Sequence, residues 1–348
     1  METLSKWERV EAALHGAAMD RVPLSLWKHY HLQDRAPRRH AQVTLALHRQ
    51  FDTDLIKLTP SGLYPVQDWG AAIRFGRDDY TAPVLVEPVV RSPAEWTELP
   101  VLDVRTGALG RELEFIAHVA EGLQGTAPFM MTIFSPLTIA YKLAGERVVQ
   151  DLRDAPRQVH AGLATITAVM REYVAACLEA GAPGFFFATQ LADRSVLTPA
   201  EYQEFGVRYD LRVLETMQGR SRVTMLHVCR RNLMFELVAD YPVHAINWAD
   251  RESGPSLAEA RQLTTKALAG SRSRPCAPAR PRTCCGRPVK PSPRPATPGS
   301  FWRRPVLSPA PAQMLTWRRP AGRSKRRCSP SQRRGRNFGS VISGVTSS

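Results

Sequence analysis

Two residues on one short apolar run carry the ligand types of a zinc centre. In RVTMLHVCRRNLMFELVADYPVHAINWAD, residues 222–250, His227 and Cys229 stand two positions apart. Side chains on a strand alternate, so both would project from one face while Leu226 and Val228 take the other. An imidazole and a thiolate can grip one zinc ion, which needs at least one more protein ligand and an open position if it is to be catalytic. A core histidine beside a buried thiol fits the same pattern. The pair alone does not separate the two readings.

The surrounding stretch reads as a strand (Val223 to Val228), a helix (Asn232 to Ala239) and a second strand (Val243 to Trp248), the sequence form of a parallel βαβ unit. In such units chemistry gathers at the strand carboxyl ends, which here add Trp248, a stacking or core residue, and Asp250, a general acid or a turn residue. Earlier runs repeat the form. Val22 to Trp27 is a strand delivering Lys28, His29, Tyr30 and His31; Asp54 to Leu58 and Pro128 to Phe134 are the next two; Phe185 to Ala188 is a fourth, followed by Gln190 and Asp193. Lys28, His29, Tyr30, Gln190, Asp193 and Trp248 are therefore candidate substrate contacts, weighed against solvated loops and core packing. His244 begins its strand at the opposite face and reads as structural. Helices separate the strands, opened by capping boxes at Ser5/Glu8 and Ser256/Glu259 and by Thr198, Pro199 and Glu201. A single long helix is predicted over 154–181, an inserted hairpin or arm over 80–102, and the start of a seventh strand at Ala267 to Gly270.

Charge divides the 348-residue chain at the same point. Of 47 Lys and Arg, 18 lie in residues 271–348, which contain no Asp or Glu, so the first 270 residues hold 29 basic and all 32 acidic residues and are slightly acidic despite a net charge of +15. The last 78 residues hold 13 of the 28 Pro and 4 of the 6 Cys and show no apolar periodicity, which predicts a disordered basic tail. Its arginines suit a polyanion, the only route to nucleic acid that the chain offers. Its mixture of Arg, Pro, Ala, Gly and Ser without a single acid also suits a GC-rich gene read out of frame. The start METLSKWERV is not a secretory signal, and no window approaches 18 uninterrupted apolar residues, so no membrane span is predicted. Cys177 and Cys229, the two cysteines of the body, point to a reducing compartment such as the cytoplasm.

Ordered segments over residues 1–270 resemble the uroporphyrinogen decarboxylase superfamily. They are ERVEAALHGAAMDRVPLSLW from Glu8, FSPLTIAYKLAG from Phe134, LEAGAPGFFFA from Leu178, LTPAEYQEFGVRYDLRVLE from Leu197, and LHVC followed by AINWAD. The resemblance implies a (β/α)8 TIM-type barrel, here truncated after six to seven strands and followed by the basic tail, with the edges of strands one and seven left unpaired. It implies two chemistries. One is zinc-dependent methyl transfer from a corrinoid, or a corrinoid protein, to a thiol; that branch has His-x-Cys in its zinc site, matching His227 and Cys229, and a further cysteine near the eighth strand, beyond Gly270. The other is decarboxylation of uroporphyrinogen in tetrapyrrole biosynthesis, which needs no cofactor. The decarboxylase's arginine pair falls at Tyr30 and Asp34, its aspartate near Ser61, and its tyrosine at Tyr141 with a one-residue gap. Methyl transfer is thus the leading expectation, with Tyr141 and Asp250 as candidate catalytic groups and a small molecule as substrate.

Overall fold

The computed structural model describes residues 3–272 and 313–318. Its strands are β1 (Leu24–Trp27), β2 (Ile56–Lys57), β3 (Ala72–Arg74), β4 (Val84–Glu87), β5 (Phe129–Phe134), β6 (Gly184–Thr189), β7 (Val223–Val228), β8 (Ala245–Trp248), β9 (Ala267–Arg272) and β10 (Gln313–Arg318). FMMTIF in β5 and GFFFAT in β6 are buried at every position, as strands covered on both faces must be. From β2 through β5, β6, β7 and β8 to β9, six neighbouring strands run parallel. The sheet then curls back: the Leu24 carbonyl accepts the amides of Asp54 and Leu55, which sets β1 beside β2. This is a truncated α/β barrel, as expected.

The predicted bare edges are not bare. Residues 313–318 run antiparallel between β1 and β9, pairing Leu24 with Thr316 and Thr316 with Gly270. An edge strand presents a row of unpaired amides and carbonyls that templates any chain of β propensity, and QMLTWR is the tail's run of that kind. The remaining tail, with the polyanion, disorder and reading-frame expectations, lies outside the described residues.

The long helix expected over 154–181 is Pro156–Glu179; it begins at Pro156, which has no amide to donate and pushes Ala155 out of the helical region, so Arg147–Asp154 is a separate helix before it. The helix placed at 232–239 shrinks to Phe235–Val238. Pro156–Glu179 is apolar and long enough to cross a membrane by composition, but Val159, Leu163, Ile166 and Met170 are buried against the barrel. The inserted arm is a β3–β4 hairpin followed by a short 3-10 turn, Pro93–Thr97.

The barrel's closing seam is tied by charge. Ser5 and Glu8 make the capping box that opens the helix Lys6–His15. From it Arg9 donates to Asp54 at 2.7 Å and to Asp20 at 2.8 and 2.6 Å, while fully buried Asp54 also accepts from Arg21 and, at 2.7 Å, from the Leu24 amide.

A second buried acid is built differently. Glu112, on the helix Gly107–Leu123, is buried with neither oxygen hydrogen-bonded, and Arg111 Nε stands 3.7 Å away. Burial pushes its pKa up to about 8, and the guanidinium offsets that only in part. The native state therefore keeps a proton that the unfolded chain, titrating near 4.5, has released, so stability falls as pH rises from 4.5 to 8. Glu112→Gln stays neutral throughout. Its melting temperature is expected to match the wild type below about pH 4 and to exceed it by on the order of 5–10 °C above pH 8. A pH-independent difference in thermal scans would show that Glu112 is ionised in the fold.

Candidate active site at the strand carboxyl ends

A cavity of about 240 Å³ opens at the carboxyl ends of the strands. Trp27 on β1, Lys57 on β2, Thr132 and Phe134 on β5, Phe186 and Ala188 on β6 and His227 on β7 supply its wall, and Lys28, His29, Lys142 and Gln190 its rim. The pairs Thr132/Phe134 and Phe186/Ala188 show the two-residue period that turns alternate side chains inward. Among the described residues no Asp or Glu lines it.

His227 is the best-defined group. The sheet register sets it opposite Ala188 on one side and Asn247 on the other, and its ring stacks on Phe186 at 5.1 Å. Asn247 donates from Nδ2 to the Ala269 carbonyl at 2.7 Å, so its Oδ1 faces His227 Nδ1, also at 2.7 Å, as an acceptor. That assigns the proton to Nδ1 and leaves the Nε2 lone pair as the ring's basic atom. Burial pulls the pKa down to about 4, so the ring is a neutral base at pH 7.

Besides Lys28, two lysines line the cavity. Lys57 is buried, its Nζ 4.7 Å from the centre of the Phe186 ring and 5.3 Å from that of Trp27. With no carboxylate to offset burial, its pKa drops to about 7. Lys142, on the helix Pro136–Ala144, lies 3.3 Å from Gln190 Oε1 and 4.5 Å from the Phe134 ring centre, and burial lowers it to about 8. Lys142 is thus mostly an ammonium at neutral pH, and Lys57 is evenly divided.

Of the residues singled out from the sequence, the cavity gathers Lys28, His29, Gln190 and His227. His29 is neutral, its pKa drawn down to about 3 by burial and then by Lys57, and it stacks on His31 at 5.3 Å. Lys28 sits over the rings of Tyr30 and Tyr80, and Tyr30 lines a small adjoining cleft. Others do different work. The Asp193 carboxylate accepts from Ser195 and from the Arg231 amide, tying the loops after β6 and β7 together. Trp248 is fully buried, donates to the Pro255 carbonyl at 2.7 Å and packs edge-on against Phe235. Asp250 lies 3.4 Å from Arg251, and Tyr141 lies under the Arg230 guanidinium at 5.5 Å; neither lines the cavity. His244 accepts from the Thr224 amide at 2.9 Å.

Cys229 follows the end of β7, where its amide donates to the Thr189 carbonyl, and Arg230 turns the chain with φ of 94°. That left-handed conformation is costly for an arginine. Among the described residues no three His, Cys, Asp or Glu converge on a position for a metal ion.

Lys57, Lys142 and Asn247 were not singled out from the sequence. Each is a polar residue inside an otherwise apolar run, LIKL, IAYKLA and AINWA, and that is the signal that points to them.

Residues 5–274 match the family described as uroporphyrinogen decarboxylase (URO-D). The fold is similar to that of a methyltransferase from Methanosarcina mazei, with a TM-score of 0.67 at 20% identity over 77% of this chain and 82% of that one. A B12-independent methionine synthase from Shewanella sp. W3-18-1, solved in complex with selenomethionine, gives 0.45 at 13% identity over 67% and 69%. No curated protein sequence matches the chain.

Proposed function

The chain belongs to the uroporphyrinogen decarboxylase family, and on that premise we propose that it transfers a methyl group from a corrinoid to a small thiol that carries an anionic group. The observation that carries this reading is the cavity: about 240 Å³, with lysines and two neutral histidines on its surface and, among the described residues, no carboxylate. Ligand pockets for drug-sized molecules run to roughly 300–1,000 Å³, so this one suits a small acid better than a tetrapyrrole. The methyltransferase name of the Methanosarcina neighbour supports the same choice. Decarboxylation of uroporphyrinogen, the alternative, would need guanidinium partners for substrate carboxylates, and Tyr30 and Asp34 stand where the family's arginine pair belongs, with Asp34 buried 3.6 Å from His31.

In this reading Lys142 holds the anionic group. His227 Nε2 takes the thiol proton, and the thiolate attacks the donor's methyl carbon while the bonding electrons stay with the donor. Zinc does not fit the described residues, because His227 and Cys229 find no third ligand and two ligands do not make a tight site. Equilibrium dialysis against micromolar zinc is expected to leave well under one ion per chain, with His227→Ala changing nothing. Stoichiometric zinc lost on His227→Ala would restore the metal centre. The methyl-transfer assay itself, with methylcobalamin and 3-mercaptopropionate, tests the reading as a whole. The thiols Cys177 and Cys229 suit a cytoplasmic enzyme.

A further inference from the structure

Lys57 has no role in that chemistry. It is a primary amine on a barrel strand, its side chain nine-tenths buried in the cavity wall. Its contacts among the described residues are two aromatic rings, Trp27 and Phe186, with neither a carboxylate nor a hydrogen-bonding oxygen to hold it as an ammonium. Two neutral imidazoles share the cavity. His227 stacks on the same Phe186 ring that Lys57 touches, and His29 keeps its buried Nδ1 without a hydrogen bond. An amine kept out of water, opening onto a cavity and flanked by neutral bases, is the arrangement in which lysine acts as a nucleophile towards carbonyl carbon.

We propose that Lys57 captures small carbonyl compounds, of the short 2-oxo acid class, as a reversible imine inside this cavity. The Nζ lone pair forms a bond to the carbonyl carbon while the C=O π electrons move to oxygen. A neutral imidazole relays one amine proton to that oxygen, and a second proton lost from nitrogen leaves with the hydroxyl as water, so no oxidant or reductant enters. The acid's carboxylate finds the Lys142 ammonium across the cavity, and the aromatic collar limits hydrolysis. A lysine titrating near 7 has about half its amine free at neutral pH, whereas an ordinary lysine near 10.5 has about a thousandth or less.

The test is reductive trapping. The full chain is incubated with pyruvate and cyanoborohydride from pH 6 to 9, and each lysine's modification is read by peptide mapping. Lys57 is expected to be labelled at least ~10-fold faster at pH 7 than Lys6, which is ion-paired to Asp52, with the rate rising through a midpoint near 7 and the label absent in Lys57→Arg. Labelling of Lys57 no faster than Lys6, a rate still climbing at pH 9 with no midpoint passed, or preferential labelling of Lys142 would overturn the assignment. Because the wild-type map alone decides, a Lys57→Arg protein that fails to fold leaves the result intact. The outcome is also separate from methyl transfer, since trapping reads Lys57 whether or not a thiol is methylated.

Discussion

Replacing His227 by alanine is expected to lower methyl transfer by ~10²–10⁴-fold with little change in melting temperature. The size of the effect follows from what Nε2 does: it is the cavity's neutral base, and without it the thiol must lose its proton to water. With its pKa near 4, the ring stays unprotonated at every pH above about 5, so the wild-type rate should not follow a histidine titration near 6.5. It should instead decline above about pH 8 as Lys142 loses its charge. Asn247→Leu separates positioning from chemistry. It removes the acceptor at 2.7 Å that fixes the Nδ1 proton, leaves His227 in place, and should cost roughly 10–100-fold in kcat with KM nearly unchanged. An Asn247→Leu enzyme with wild-type kcat would show that the tautomer is immaterial.

The largest effect on stability belongs to Asp54. Replacing it by alanine leaves the guanidinium of Arg9 and the Leu24 amide without their buried acceptor, and breaking a buried, hydrogen-bonded charge pair costs about 3–5 kcal/mol. Natural domains hold only about 5–15 kcal/mol in total, so the variant should melt early or fail to accumulate. Because Asp54 also fixes the turn from which the 54 and 55 amides reach the Leu24 carbonyl, the damage falls on the seam between β1 and β2. Chemical denaturation of Asp54→Ala measures it. A loss under about 1 kcal/mol would mean the pair behaves like an exposed one.

Periodicity made the fold legible. Uninterrupted apolar runs mark parallel strands buried on both faces, and the capping boxes at Ser5, Thr198 and Ser256 mark helix starts that the fold reproduces. The site was only half legible, since which residues follow a strand can be read in sequence but which way the loop turns cannot. Gln190 and Asp193 follow the same strand, yet one reaches the cavity and the other is consumed by backbone amides. Asn247 acquires its role through register: β7 and β8 bring residues 20 apart to neighbouring positions, a relation that spacing within one strand does not contain. The pairing of residues 313–318 with β1 and β9 was hidden in the same way, behind composition that carries no apolar period.

The central claim is that this cavity methylates a small anionic thiol through His227. The direct measurement is product formation by the full chain from methylcobalamin with 3-mercaptopropionate, beside a neutral thiol of similar size and beside uroporphyrinogen. S-methylation is expected to favour the acidic thiol and to disappear in His227→Ala; carbon dioxide released from uroporphyrinogen with no thiol methylated is the opposite result.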